Sequence, residues 1–235
     1  MKLMYALWGA GLGERLHDVQ LRRRLGECGA TELQVNVRDA EVAAAQVRHS
    51  TYPESIAAIV SVRTGGGHES VTAALRSVAD EVNGWIVDER VPIVAPATGD
   101  GVRAEALANV ALLRIPADLT REEWLRHWHG THTTVAIETQ ATFGYVQNTV
   151  VESITDGKRV DALVEELFPM AAMTDPHAFY GTGGDEAELQ RRISRMMESV
   201  VAFGAHLDLD VVPTSRYVYA LSPVPGAAVP GGDLH

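Results

Sequence analysis

The chain has 235 residues, 46% hydrophobic and 22% charged, which is ordinary for a globular protein with one large or two small domains. Its 31 acidic and 20 basic residues give a formal net charge of -11, which argues against nucleic acid and anionic membrane surfaces as partners. Cys28 is the only cysteine, so no intrachain disulfide can form, and no apolar run reaches the ~18 residues of a membrane span. These features predict a cytoplasmic protein.

The first hundred residues predict the element order β-α-β-β-α-β. Strands are expected over 2–8, 32–38, 56–62 and 84–94, and helices over 14–25 and 70–82. The sequence GAGLGE after the first strand partly matches the dinucleotide fingerprint G-x-G-x-x-G. Because Glu14 takes the sixth position, a carboxylate would face the pyrophosphate, and a simple turn is the better interpretation.

The same element order starts again after a linker over 96–102 that contains Pro and Gly. Strands are expected over 106–115, 141–151, 161–168 and 215–221, and helices over 120–139 and 185–205. This repetition predicts the α+β class, with two ferredoxin-like units whose antiparallel sheets carry helices on one face. The expected domains are 1–97 and 103–222, followed by a disordered tail over 223–235.

The helix over 120–139 begins with a capping box, in which Thr120 is followed three residues later by Glu123. Trp124, Trp128 and His132 recur at intervals of four and therefore share one helix face. His127 and His129 lie ~200° apart around the axis at ~100° per residue, so they cannot both point where His132 points. His132 is the internal candidate.

Two interpretations of His132 stay open at this point. It is either a histidine at the edge of the core that makes one hydrogen bond, or a general acid or base in an apolar pocket. A zinc site is the weaker interpretation, because one helix cannot converge ligands two residues apart and no Cys or second His pair has zinc spacing. No metal is therefore predicted.

The strand over 141–151 alternates between two faces. Phe143, Tyr145 and Gln147 are expected on one face, and Asn148 on the other. A face with Tyr145 and Gln147 is polar for a core, so it borders either a functional site or solvent.

A longer pattern joins this helix and strand. The chain reads LLRIPADLTREEWLRHWHGTHTTVA and then FGYVQNTV, which resembles the EthD-like branch of the dimeric α+β barrel superfamily. Two positions depart from the family pattern. His127 stands where an aromatic residue precedes the tryptophan, and Thr134 replaces a proline, so the helix is expected to continue past His132. The matching positions are Arg114, Pro116, Thr120, Trp124, Trp128, His132, Gly144, Tyr145 and Asn148.

The resemblance implies two ferredoxin-like units that pack sheet to sheet and close a barrel. In the family this happens between two chains, whereas the tandem repeat predicts a pseudo-dimer within one chain, which could pair again into a homodimer. Only the second unit has the histidine helix. The first offers Tyr5 and Trp8 on the corresponding strand and His17 on its helix, so we expect it to be mainly scaffold.

The resemblance also implies a cofactor-independent enzyme of the lyase, decarboxylase, cyclase or dehydratase type. The expected ligand is an aromatic or polyketide-like small molecule in the barrel cavity, with a histidine as general acid or base. The expected catalytic residues are His132, Tyr145 and Asn148. The expected substrate-binding residues are Trp124, Trp128, Phe143, His127 and Arg114.

Other functions remain open at the level of sequence. The chain could be a non-catalytic binding or accessory protein of a degradation pathway, or it could bind haem through a histidine as distant members of the superfamily do; no cofactor is predicted. The segment over 169–184 is long for a loop and is either a lid over an apolar ligand or a surface insertion packed by its own aromatic residues. The lid residues would be Met170, Met173, Phe179 and Tyr180.

Overall fold

A computed structural model describes residues 1–222, so the predicted tail over 223–235 lies outside the described residues. Eight strands form one closed antiparallel barrel. Their bounds are β1 Lys2–Trp8, β2 Ala30–Val37, β3 Ala58–Thr64, β4 Glu81–Ile93, β5 Leu107–Leu113, β6 Gly144–Ser153, β7 Ala162–Phe168 and β8 Asp210–Ala220. Around the barrel the order is β1-β3-β2-β8-β5-β7-β6-β4.

Helices cover the outside of this barrel. Their bounds are α1 Leu12–Leu16, α2 Val19–Glu27, α3 His68–Arg76, α4 Arg121–His127, α5 Thr133–Thr139, α6 Pro176–Tyr180 and α7 Glu186–Ala202. Short 3-10 turns lie at Ala40–Val42 and Met170–Met173, and a π-helical turn at Trp128–His132 joins α4 to α5.

Two predicted helices differ from the observed ones. The helix expected over 14–25 is divided, because the Asp18 side chain accepts a hydrogen bond from the backbone N–H of Gln20 and starts a new helix. The helix expected over 70–82 ends at Arg76, because Val82 already belongs to β4 and pairs with Leu7 of β1.

Both halves of the chain have the same strand order. The first four strands run β4-β1-β3-β2 and the last four run β8-β5-β7-β6. The halves join where β2 pairs with β8, as in Val35 opposite Tyr217, and where β4 pairs with β6, as in Val87 opposite Val150. One chain therefore closes the barrel, and no strand of it presents an open sheet edge.

Residues alternate between the two faces of the barrel wall. On β1, Leu3 and Tyr5 face the helices of the N-terminal half, whereas Met4 and Trp8 belong to the cluster that fills the barrel interior. Trp85 of β4 is fully buried in the same interior cluster. The interior is thus a packed core.

Charged and polar side chains pair inside the barrel near one end. Lys2 Nζ lies 2.6 Å from a carboxylate oxygen of Glu89 and 2.7 Å from one of Glu165. Asn148 Nδ2 donates to Glu165 at 2.9 Å, and Gln34 also donates to this carboxylate. Burial alone would raise the pKa of Glu165, but Lys2 and these hydrogen bonds together hold it below its ordinary value.

This network generates a stability prediction. Replacing the buried Lys2 in a Lys2→Met variant leaves Glu89 and Glu165 without their shared cation, which should lower the free energy of unfolding by about 3–5 kcal/mol. Urea unfolding measures this loss. The control is Arg23→Met, which breaks the exposed Arg23–Glu27 pair on α2 and should change the stability by less than about 1 kcal/mol. Equal losses in the two variants would contradict the prediction.

Candidate functional site

A predominantly apolar cavity with a volume of about 450 Å³ lies outside the barrel. It is enclosed between the outer face of the C-terminal strands and the helices that cover them, including α7. The predicted cavity inside the barrel is therefore wrong, because Trp8 and Trp85 fill that interior. The observed volume falls in the range of about 300–1,000 Å³ that is typical of small-molecule sites.

The floor of the cavity is a row of residues across three neighbouring strands. Tyr145 of β6 lies opposite Glu166 of β7, and Glu166 lies opposite Asn109 of β5. Directly opposed side chains in an antiparallel sheet have Cβ atoms about 5 Å apart. All three line the cavity, and the surrounding floor is apolar. A carboxylate, a phenol and an amide are thus adjacent on one surface.

One wall is the π-helical turn, which supplies Trp128 and His132. The Thr133 hydroxyl donates to the Trp128 carbonyl at 2.8 Å within this wider turn. The helix continues past His132, as the absence of the family's proline predicts, but the π turn was not foreseen. Such single turns occur frequently at functional sites.

The segment predicted as a lid lines the cavity as well. It contains a 3-10 turn and α6, and it places Met173, Phe179 and Tyr180 against the cavity. Phe179 also stacks on Phe168 of β7, with ring centroids 4.3 Å apart. The segment is therefore packed by its own aromatic residues and borders the site at the same time.

The N-terminal half contributes to the mouth of the cavity. Gln46, Val47 and His49 lie on the long connection between β2 and β3 and line the cavity while remaining exposed. The backbone N–H of Gln46 donates to the Met173 carbonyl at 2.9 Å, and His49 forms a β-bridge with Val211 of β8. Access to the site thus passes residues from both halves.

Glu166 is the most strongly perturbed acid at the site. No side chain in residues 1–222 donates a hydrogen bond to it or forms an ion pair with it. Burial raises its pKa to about 7. Burial, and then the charge of Glu166, raise the pKa of Tyr145, so this phenol stays protonated. At neutral pH the site holds a carboxyl group ready to exchange a proton beside a hydrogen-bond donor.

His132 is half-buried and uncharged at neutral pH. Burial lowers its pKa to about 4. Its Nδ1 lies 3.0 Å from Ser199 Oγ on α7, and its ring lies 4.7 Å from the ring of Phe203. With this pKa the imidazole is a weak base at pH 7.

Several polar atoms in the lining are buried without a hydrogen-bond partner among residues 1–222. They are Trp128 Nε1, Asn109 Oδ1 and Gln140 Oε1. Buried polar groups are costly when unpaired. These three unpaired atoms belong to residues that line the cavity, but the atoms themselves are covered by neighbouring groups. The described lining contains no lysine or arginine.

Three predicted site residues lie elsewhere for identifiable reasons. Asn148 faces the barrel interior, since it alternates with Tyr145 along β6, and it donates to Glu165. Arg114 pairs with Asp210 and donates to two backbone carbonyl groups, each at 2.8 Å. Trp124 is fully buried behind Trp128, with ring centroids 5.0 Å apart.

Phe143 and His127 also fall outside the cavity. Phe143 precedes β6, which begins at Gly144, so the predicted alternation does not extend to it; it packs instead against the cluster that contains Leu167. His127 is exposed and borders a small depression on the far side of the helix. Of the predicted residues, His132, Tyr145 and Trp128 line the cavity.

Glu166 was missed by the sequence analysis. The signal was present, because Glu165 and Glu166 interrupt the otherwise apolar strand sequence ALVEELF. Successive strand residues face opposite sides, so two adjacent acids in a buried strand require two separate explanations. Glu165 forms an ion pair with Lys2, and Glu166 faces the cavity.

Residues 1–222 contain no group of three His, Cys, Asp or Glu side chains that could hold a metal ion. Nor does any helix in this range combine the length and the apolar character that crossing a bilayer requires.

Comparisons with known proteins identify a shared fold. No protein-family model matches the chain, and no curated protein is significantly similar in sequence. An anthrone oxidase-like protein of known structure superposes with a TM-score of 0.58 at 7% identity, covering 97% of this chain and 95% of that one. A protein from Fusobacterium nucleatum subsp. nucleatum, provisionally assigned as a monooxygenase, gives a TM-score of 0.50 at 7% identity, with 93% of both chains covered. At this level of identity the likeness shows a shared fold and does not test the resemblance to the EthD-like branch.

The cavity predicts where an apolar ligand binds. Val200 on α7 lines the cavity, whereas its neighbour Val201 does not and is 53% exposed. A Val200→Trp variant should fill the space and abolish binding of the neutral fluorescent dye Nile red, measured by fluorescence titration. Val201→Trp adds the same side chain outside the cavity and should bind like the wild type. Loss of binding in both variants, or in neither, would contradict the prediction that Nile red binds in this cavity.

The raised pKa of Glu166 predicts a pH dependence of stability. Between its ordinary value of 4.5 and about 7, the folded chain keeps a proton that the unfolded chain releases, so the free energy of unfolding falls as the pH rises through this range. Glu166→Gln removes this loss and should be more stable than the wild type by about 1–3 kcal/mol at pH 8. Near pH 4 the difference should shrink. Urea unfolding at both pH values measures it, and an equal difference at both would refute the shift.

Proposed function

We propose that the chain is a cofactor-independent enzyme that moves protons on a flat, largely neutral aromatic or polyketide-like ketone, with Glu166 as the general base. The observation that carries the proposal is the unpaired Glu166 carboxyl group in an apolar cavity beside Tyr145. A base of this kind works best when its pKa lies near the working pH.

The proposed step needs no oxidant. Glu166 takes a proton from a carbon next to the ligand's carbonyl group, and the electrons of the C–H bond form an enolate whose charge rests on the oxygen. The Tyr145 hydroxyl donates a hydrogen bond to that oxygen, which lowers the barrier in the apolar cavity. Returning the proton from Glu166 to another carbon completes an isomerisation. In a cyclisation the enolate carbon instead attacks a second carbonyl group, the C=O π electrons move to its oxygen, and the resulting alkoxide takes the proton from Glu166.

The cavity lining in the described residues contains no Lys or Arg, and this favours some reaction types over others. A decarboxylation substrate carries its carboxylate at the reacting centre, where it would approach Glu166 without a Lys or Arg to balance its charge. A neutral ketone avoids this repulsion. We therefore favour proton transfer, cyclisation or dehydration within the range that the family resemblance implies. Because His132 is a weak base at neutral pH, we assign the proton abstraction to Glu166 in place of the predicted histidine.

We also infer that the chain is a tandem fusion of two ferredoxin-like units of the EthD-like type. The identical strand order in the two halves supports this inference. So does the placement of three residues of the family pattern, Trp128, His132 and Tyr145, around one cavity. The paired acids of β7 lie outside that pattern.

Anthrone is a suitable probe, because it is a flat tricyclic ketone with an acidic methylene group and because the fold is shared with an anthrone oxidase-like protein. The wild type should accelerate exchange of the methylene hydrogens with D2O under nitrogen, followed by proton NMR. Glu166→Gln should lower the catalysed rate by about 100-fold or more. The wild-type rate should rise with pH through about 7 and then level off, since only the carboxylate accepts a proton.

Glu152→Gln is the matched control, because Glu152 is an exposed carboxylate on the same sheet. It should exchange anthrone hydrogens at the wild-type rate. If Glu166→Gln keeps the full rate, Glu166 is not the base. If the wild type binds anthrone in the cavity but does not accelerate exchange, the second candidate is favoured: a non-catalytic binding protein that uses the same apolar lining.

A further inference from the structure

We propose that Ser199 is a positioning residue: its hydroxyl group holds the His132 ring in the tautomer that presents an Nε2–H donor to the ligand. This inference deepens the proposed function, on which its catalytic consequence rests. It concerns a contact between two helices that the sequence pattern did not connect.

The contact has a defined direction. His132 lines the cavity, whereas Ser199 lines the small depression on the other side of the helix layer. The His132 ring lies between these two spaces, with Nδ1 3.0 Å from Ser199 Oγ. Nδ1 is occupied by this contact, whereas Nε2 makes no hydrogen bond within residues 1–222, so Nε2 is the ring nitrogen of this cavity-lining residue that is available to a ligand.

The hydroxyl proton decides the tautomer. A serine in a helix can donate to the carbonyl four residues earlier, but among residues 1–222 the Ser199 hydroxyl has its one hydrogen bond with His132. Donation to Nδ1 is therefore the arrangement in which this proton has a partner. A neutral imidazole that accepts at Nδ1 carries its own proton at Nε2.

The surroundings keep the ring neutral. Phe203 packs against it at 4.7 Å, and burial disfavours the charged form. A neutral His132 does not compete with Glu166 for the substrate proton. It instead adds a second donor to that of Tyr145, so that the oxygen of an enolate can accept hydrogen bonds from both residues.

The test starts with the full chain, free of ligand and labelled with 15N at histidine. Two-bond 15N–1H correlation spectra should show His132 as a single Nε2–H tautomer in the wild type. Ser199→Ala should give a mixture of tautomers, and Ser199→Thr, which keeps the hydroxyl group, should restore one. Ser194→Ala is the matched control, since Ser194 is an exposed serine on the same helix.

The second measurement is anthrone hydrogen exchange. Ser199→Ala should lower kcat about tenfold with KM changed less than about twofold, because a donor to the transition state loses its orientation. Ser199→Thr and Ser194→Ala should stay near the wild-type rate. An Nδ1–H tautomer in the wild type, or an unchanged tautomer in Ser199→Ala, overturns the positioning role. A shifted tautomer with an unchanged rate overturns its catalytic consequence.

These outcomes separate the two proposals. The tautomer is read without any ligand, so it stands or falls independently of Glu166. If the wild type catalyses no exchange, the proposed function fails while the spectra still decide how Ser199 and His132 are arranged. If Glu166→Gln abolishes exchange and Ser199→Ala leaves both tautomer and rate unchanged, the base assignment stands and the positioning proposal falls.

Discussion

Two successive carboxylates on β7 face opposite sides of the barrel wall, and the site depends on this division. Glu165 points inward, where Lys2 lies 2.7 Å away across the junction of the two halves of the chain. Glu166 points outward into the cavity, where no cation meets it among the described residues. The period of two in a strand therefore gives adjacent acids opposite electrostatic environments. The environment of Glu165 lowers the pKa of its carboxyl group, and the environment of Glu166 raises the pKa of its own.

Closure of the barrel explains why the cavity lies between sheet and helices. Inside the barrel, large apolar side chains and the Lys2 network leave little space. In the N-terminal half, Tyr5 occupies the outer face of β1, and its hydroxyl group pairs with Thr72 of α3 at 3.0 Å. Val60 and Val62 on β3 complete an apolar core there. Within residues 1–222, only the C-terminal half combines space under its helices with an acid that lacks a hydrogen-bond partner, so the two halves share a strand order and differ in chemistry.

The order of the elements and the start of the histidine helix could be predicted from the sequence, because hydrophobic periodicity and capping are local. Thr120 caps α4 as expected, and Trp128 and His132 share a face as expected. Periodicity shows which residues lie on the same face but not which face borders empty space. That depends on how far α7 stands from the sheet, which is a long-range property. The location of Arg114 was missed for the same reason, since a buried partner distant in sequence, Asp210, decides it. Phe143 was missed for a local reason, because β6 begins only at Gly144.

Burial acts in the same sense on Glu166, Tyr145 and His132. It raises the pKa of Glu166 and Tyr145 and lowers that of His132, so in each case it favours the uncharged form. Tyr145 and His132 are shifted so far that they stay neutral across physiological pH and can only donate or accept hydrogen bonds. Glu166 is shifted just far enough to titrate there. Glu166 can therefore carry a proton to and from a ligand, and a neutral ligand leaves it free to do so.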